Sequence, residues 1–501
     1  MNAPLYFDNA ATTPLDPRVA AAMQPWLGGR VGNASSAHAF GTEARLAVED
    51  ARSAVAALIG ATAREIVFTS GATESDNLAI LGLARGLRAH RGGRPGHLVS
   101  ARTEHKAVLD PLLQLAREGH AVTWLDPDGD GVIDPAAVAA ALRPDTVLVS
   151  LMHVNNEIGV IQDIAAVGAL CRARAITLHV DAAQSVGKIP VDVAALQADL
   201  LSLSAHKFHG PQGCGALYVR VPCRPLLQPL QFGGGQERGL RSGTLPVQQI
   251  VGLGAAARIA ARALDADAAR LGALRDRLQA GIAGLGGVTV NGIGAARVPG
   301  ILNVSFDGVH GDALLAGLAG LALSTSAACN ADSDETSYVL RAIGRDALLA
   351  QATLRLSLGR FTTADEVETA IQAVHRELPR LRALADFAAG APAGSCSGES
   401  GDVATGTRVR WQLRCERGTI AAASYRAFAP PAVERVCDWL AGTLAGRPLD
   451  AGLPAAAADW ATTCGTPPEQ LGRLFVVEDA LRAAWQRAVA GPAGAAPGSG
   501  G

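Results

Sequence analysis

The first 385 residues alternate short apolar runs with longer segments of helical period. The runs 65–68, 97–100, 121–125, 146–151, 176–180 and 200–203 predict strands. Between them, stretches such as 44–59 and 163–174 predict helices. Strands that are apolar throughout are buried on both faces, and with intervening helices they predict a parallel α/β sheet. Several runs end directly on polar residues: Thr69-Ser-Gly-Ala-Thr73, Asn155-Asn156, Asp181 and Ser204-Ala-His-Lys207. Ligands of open α/β sheets bind beyond the carboxyl ends of the strands, so these residues mark the candidate site.

Residues 255–285 are rich in Ala, Leu and Arg and predict a long connecting helix. Strand-like runs return at 288–290, 302–306 and 353–357, and helical period follows over 364–384, which predicts a smaller α+β domain. Residues 388–401 are small and polar and predict a flexible linker. The alternating run 409–413 and the turn at Gly418 then predict a hairpin, with helices over 432–444 and 478–490. The expected boundaries are 1–260 for a large domain, whose N-terminal segment contributes to the small one, and 261–386 for the small domain. Residues 387–399 are the expected linker, 400–490 a C-terminal α+β domain and 491–501 a disordered Gly/Ala/Pro tail.

Composition narrows the class. A chain of 501 residues exceeds a single core, and 49% hydrophobic with 18% charged residues excludes a disordered protein. A net charge of −2 implies no general attraction to nucleic acid or membrane. The start lacks the pattern of a secretory signal, and the apolar runs are too short to span a bilayer, so a cytoplasmic protein is expected. Eight scattered cysteines with no CxxC pair predict neither a disulfide framework nor a metal site. Cys171, Cys214 and Cys223 stand in apolar or strand contexts and are expected in the core.

The polar strand ends suggest a chemistry. A lysine that forms a Schiff base must be fixed and partly desolvated, and Lys207 follows an apolar strand directly. Asp181, also at a strand end, suits a pyridinium nitrogen. Ser70-Gly71-Ala72-Thr73, before a predicted helix, suits a phosphate. Together they point to pyridoxal 5'-phosphate (PLP).

These residues belong to a longer set: Asp8-Asn-Ala-Ala-Thr-Thr-Pro14, Phe68-Thr-Ser-Gly-Ala-Thr-Glu-Ser-Asp-Asn77, Thr103-Glu-His105, His153-Val-Asn-Asn-Glu-Ile-Gly159, His179-Val-Asp-Ala-Ala-Gln184, Ser204-Ala-His-Lys207, Gly233-Gly-Gly-Gln-Glu-Arg-Gly-Leu-Arg-Ser-Gly-Thr244 and Leu354-Arg-Leu-Ser-Leu-Gly-Arg360. In this order the set resembles the cysteine desulfurases, the NifS/IscS branch of fold-type I PLP enzymes. The match runs from Tyr6 to about Arg382. The resemblance implies a large domain with a mainly parallel seven-stranded sheet and a small α+β domain. It implies that Lys207 holds PLP, His105 stacks on the ring, Asp181 binds the pyridine nitrogen and Gln184 the phenolic oxygen. Ala72, Thr73, Ser204 and His206 would hold the phosphate, and Thr244 would reach it from a second subunit of a homodimer. Asn156 and Arg355 would grip the carboxylate of L-cysteine. His105 would also assist proton transfer.

Cys329 is the expected sulfur acceptor. It lies in Ser324-Thr-Ser-Ala-Ala-Cys-Asn-Ala-Asp-Ser-Asp-Glu335, where no apolar side chain larger than Ala pins the segment. That suits a thiol that travels between a cofactor and an outside acceptor. The chain departs from the family in reading Ser324-Thr-Ser-Ala-Ala-Cys329 where its long-loop branch reads Ser-Ser-Gly-Ser-Ala-Cys, and in having Ala205 where Gly is common. Asp332, Asp334 and Glu335 place carboxylates near the thiol, which disfavours a thiolate.

Residues 400–490 resemble the iron–sulfur scaffold proteins of the IscU/NifU type, on Ser400-Gly-Asp-Val403, the strand–turn–strand 409–423, Tyr425-Arg-Ala-Phe428, Asp438-Trp-Leu-Ala-Gly442 and Val477-Glu-Asp-Ala-Leu-Arg-Ala-Ala484. The positions of the three cluster cysteines hold Ser400, Pro430 and Arg473, while Asp402 is kept. Cys396, Cys415, Cys437 and Cys464 fall elsewhere. Clusters need thiolates, so a scaffold-like docking or regulatory module without ligands is expected. The sulfur acceptor is then a separate iron–sulfur scaffold or another acceptor protein. Two alternatives remain: a selenocysteine lyase or aminotransferase of the same fold, and a non-catalytic sulfur-transfer scaffold.

Overall fold

The computed structural model describes residues 3–325, 336–388, 395–402 and 405–490. Cys329, its acidic neighbours and the tail 491–501 lie outside the described residues. The chain forms two compact units, one of residues 1–307 and 319–372, the other of 308–318 and 373–501.

In chain order the strands of the first unit are β1 (Leu5–Tyr6), β2 (Ile66–Thr69), β3 (His97–Ala101), β4 (Ala121–Leu125), β5 (Thr146–Met152), β6 (Thr177–Asp181), β7 (Leu200–Ser204), β8 (Gly215–Val219), β9 (Val288–Val290), β10 (Ile301–Phe306), β11 (Leu321–Ala322), β12 (Ser324–Thr325) and β13 (Thr353–Ser357). Seven of them make the main sheet, in the order β2-β8-β7-β6-β5-β3-β4. All its pairings are parallel except those of β8, which runs antiparallel to both neighbours.

The continuous apolar runs are explained by burial on two faces. Successive residues go to opposite sides: Val149, Leu178 and Leu201 join a core under the helices Ala39–Leu58 and Val247–Ala283. Leu148, Leu200 and Leu217 join a second core under Leu83–His90 and Lys106–Arg117. Each such side chain removed from water is worth about 1.5–3 kcal/mol, so the sheet holds its register firmly. A four-stranded antiparallel sheet, β12-β13-β10-β9, forms apart from the main one, and β1 pairs in parallel with β11. Cys171, Cys214 and Cys223 are buried, and burial pushes their thiols up to about 12, about 12 and about 11.

The second unit holds an antiparallel meander of β14 (Cys396–Asp402), β15 (Thr407–Glu416) and β16 (Thr419–Phe428). Val409, Trp411 and Leu413 point inward from β15 onto a core shared with the helices Pro431–Leu444, Ala457–Cys464 and Leu471–Ala490. Arg408 and Arg410 point the other way and pair with Glu399 on β14. The stretch from Cys396 is therefore strand, where composition suggested linker. The physical reason is close packing: a Cβ on Gly398 would collide with the backbone of the helix Leu471–Ala490 at Ala480 and Ala484. Small residues here serve helix–strand approach and not flexibility.

Among the described residues no helix is long and apolar enough to cross a membrane.

Candidate active site

The polar residues at the ends of β2, β3, β5, β6 and β7 converge on one cavity of about 580 Å³, the size of a cofactor site. Ala72, Thr73, His105, Asn156, Asp181, Gln184, Ser204, His206, Lys207 and Arg355 all line it. Of the expected site residues, Thr244 does not line the cavity of its own chain, and Cys329 lies outside the described residues.

Lys207 closes a short turn, Ala205–Lys207, that continues β7. Its Nζ donates to the carbonyls of Ala10 and Ala11, at 2.7 and 2.8 Å. The turn after β1 thus holds the amine over the sheet's carboxyl edge. Asp181 ends β6 with its Oδ1 accepting from the Ala183 N–H at 2.9 Å. Burial, reinforced by the charge of Asp76, pushes its carboxyl up to about 6. A cationic ring nitrogen beside it would restore the carboxylate. His105 caps the helix Lys106–Arg117, and its Nδ1 accepts from the Ala107 N–H at 3.1 Å. Burial also lowers its pKa. Burial thus favours the neutral ring, and a neutral ring that accepts at Nδ1 carries its proton on Nε2.

The phosphate side is a backbone turn. Ser70 and Gly71 lead from β2 into the helix Ala72–Asn77, whose first N–H groups lack helical partners. Glu74 accepts from the Ser70 N–H and pairs with Arg241, which fixes the turn from outside. A Cβ at Gly71 would fill the space in front of Ser204 Oγ, 3.6 Å away. His206 donates or accepts at Thr12 Oγ1 across 3.1 Å, and burial lowers its pKa to about 4.

Arg355 lies in β13. Its guanidinium donates to the Asn156 carbonyl at 2.9 Å and to Asp8 Oδ1 at 2.8 Å. Its Nε and the Asn156 Oδ1 are buried without partners among the described residues. An unpartnered guanidinium N–H beside a cavity suits a carboxylate. These groups fit PLP: a buried acid that a cation would ionise, a backbone cradle for a phosphate, and an amine fixed at the cavity.

Sequence reading missed two buried acids and one half-buried lysine. Asp76 lines the cavity, and among the described residues neither of its oxygens has a hydrogen-bond partner, His179 Nε2 being 3.4 Å from Oδ1. Burial pushes Asp76 up to about 7. Glu104 accepts from the Met152 N–H at 2.8 Å, and burial raises its pKa well above the usual range. Lys188 donates to Gln184 Oε1 at 2.5 Å. Asp76 and Glu104 stand inside the quoted motifs, but their burial has no signature in one sequence. Lys188 carried only its spacing, four residues beyond Gln184.

The fold and the site define a class. Residues 5–369 match the aminotransferase class-V model, and the chain belongs to that family. Within it, the chain is 53% identical over 387 residues to cysteine desulfurase IscS of Photorhabdus laumondii, covering 77% of this chain and 95% of that protein. The Aeromonas hydrophila IscS is 54% identical over the same coverage. A solved NifS-like protein is 37% identical with a TM-score of 0.69, covering 75% of this chain and 99% of its own. The structure of SspA in complex with cysteine is 39% identical with a TM-score of 0.64, covering 72% and 100%. The chain is a PLP-dependent cysteine desulfurase.

Proposed function

We propose that the chain takes sulfur from L-cysteine onto Cys329, with the cofactor held on Lys207. When bound, PLP supplies an electron sink for the substrate's α-carbon. Asp181 would pair with the ring nitrogen, Gln184 would serve the phenolic oxygen and His105 would lie against the ring. The N–H groups of Ala72 and Thr73, with Ser204 and His206, would hold the phosphate. Thr244 completes that cradle from the second copy in a homodimer, which accords with its absence from its own chain's cavity. Asn156 and Arg355 orient the substrate carboxylate. Lys207 Nζ moves the α-proton, and the neutral His105 presents Nε2–H to the reacting atoms. The Cys329 thiolate takes the substrate sulfur: the carbon–sulfur bond breaks, a sulfur–sulfur bond forms, and the β-carbon gains a proton to give L-alanine.

The observation that carries this reading is the convergence of the Lys207 amine, the buried Asp181 and the Arg355 guanidinium on one cavity. Cys329→Ser is expected to keep the bound cofactor's absorbance and lose sulfide release from cysteine. Full activity in that variant refutes the role of Cys329.

We infer that the C-terminal domain is a scaffold-like docking or regulatory module of the IscU type, and that sulfur passes to a separate iron–sulfur scaffold or other acceptor protein. Support comes from its antiparallel meander packed on helices. Arg473, at a position where a cluster thiolate is needed, donates to the Gly406 carbonyl at 3.1 Å. Cys437 is buried in the core. Iron titration of the full chain, compared with a chain ending at 390, discriminates: stoichiometric cluster formation that depends on the domain overturns the reading.

A further inference from the structure

We propose that Lys188 is a positioning residue of the cofactor site, acting through Gln184; the proposal rests on the PLP pocket described above. The two ends of the Gln184 amide meet different partners. Its Nε2 donates to the Ala10 carbonyl at 2.8 Å, and its Oε1 accepts from Lys188 Nζ at 2.5 Å. A carbonyl only accepts, so the amide nitrogen must face Ala10. The Lys188 amine donates to the amide, and only the amide oxygen accepts, so that oxygen must face Lys188. Both partners force the same orientation. The second Nε2 proton is then left to the cavity that Gln184 lines, where it can donate to an acceptor oxygen of the cofactor ring.

The same Ala10 carbonyl also accepts from Lys207 Nζ. Lys188, Gln184, Ala10 and Lys207 thereby form one hydrogen-bonded chain. Gln184 and Lys207, the two groups that would meet neighbouring oxygen and carbon substituents of the ring, are tied to a common acceptor. Lys188 holds the far end of that chain.

The backbone places Lys188 deliberately. Gly187 adopts φ +75°, and a Cβ there would lie 2.7 Å from the Phe208 side chain. The turn can therefore press against the residue that follows Lys207. The Lys188 N–H donates to the Ser185 carbonyl at 3.0 Å, which closes the turn. A second cavity has Lys188, Lys207 and Ala10 in its wall. The charges of Lys207 and Arg355 add to burial in lowering the Lys188 pKa to about 7, and His206 and His209 feel its charge in return.

The test is a double-mutant cycle on the intact chain with Lys188→Met, Gln184→Ala and the double variant. Two properties are read: the PLP dissociation constant, and the pH midpoint of the bound cofactor's visible band. A hydrogen bond to a charged group sets the expected scale, so Lys188→Met should weaken PLP binding about tenfold. It should also raise the midpoint, because the ring oxygen loses a fixed donor. Gln184→Ala should do the same, and the double variant should be no worse than Gln184→Ala. Lys188→Arg, which still donates, should restore the midpoint toward that of the unmodified chain, and it serves if Lys188→Met does not fold. Additive effects, or a Lys188→Met protein with unchanged affinity and midpoint, overturn the proposal. Failure of the unmodified chain to bind PLP at Lys207 refutes the pocket itself, which is a different outcome.

Discussion

The two units differ in what they bury. Around the cofactor cavity the first unit buries Asp76, Glu104 and Asp181, together with His153 and His179, and half-buries His206 and Lys188. Their pKa values are displaced in the directions that penalise charge. The second unit buries Trp411, Trp460, Val409, Leu413 and Leu481, and its displaced groups include thiols and Tyr425, pushed further from ionisation. Its charges sit in partly exposed pairs such as Arg482–Glu478 and Arg408–Glu399, worth at most about 1 kcal/mol each. Buried titratable groups cost stability and persist where chemistry uses them. The contrast locates the reaction in the first unit and gives the second the character of a packed surface-presenting module.

The sharpest break of this contrast is Lys207→Ala. It should reduce alanine release from cysteine at least about a thousandfold and abolish the cofactor's visible band, measured by amino-acid analysis and absorbance. Trp411→Ala empties a fully buried site in the second unit and should destabilise that unit by about 3–5 kcal/mol in calorimetry. PLP affinity should be unchanged; a parallel loss of cofactor would show that the units are not energetically separate. Arg355→Lys keeps the charge but loses the fork, and should raise KM for cysteine by about tenfold to a hundredfold in steady-state kinetics.

A smaller effect tests the buried acids by pH. The Asp76 carboxyl is raised from 3.8 to about 7, so the folded apo protein binds a proton more tightly than the unfolded chain. That group's stability contribution is full below pH 3.8 and is lost as pH rises toward 7. His153, His179 and His206, lowered from 6.5 to about 4, work in the opposite direction: their contribution is lost as pH falls through that window. Asp76→Asn should therefore stabilise the apo protein at pH 8 by on the order of 2 kcal/mol and leave it unchanged below pH 4, read by thermal melts. Equal stabilisation at both values would mean that Asp76 is not a buried acid carrying a charge penalty.

Much of this was legible because strand ends advertise themselves. The runs before Asp181 and Lys207 are apolar, and the change to polar residues is abrupt, so position and chemistry coincide in one line of sequence. β8 was harder. Gly215-Ala-Leu-Tyr-Val219 is apolar, but it follows a Gly/Pro-containing turn and runs against its neighbours, so the strand–helix alternation does not announce it. The linker reading failed at Cys396 because Ser and Gly in β14 look flexible in isolation and become a packing device only beside a helix. Asp76, Glu104 and Lys188 escaped notice for a related reason: burial of a charged residue depends on partners far away in the chain.

The central claim is that Lys207 carries the cofactor in a pocket completed by Asp181 and Gln184. Borohydride reduction of the PLP-bound chain, followed by peptide mass mapping, tests it most directly. One pyridoxyl adduct per chain on the peptide containing Lys207, absent in Lys207→Ala, is the predicted result. An adduct on Lys188 or on any other lysine of the unmodified chain would contradict the account.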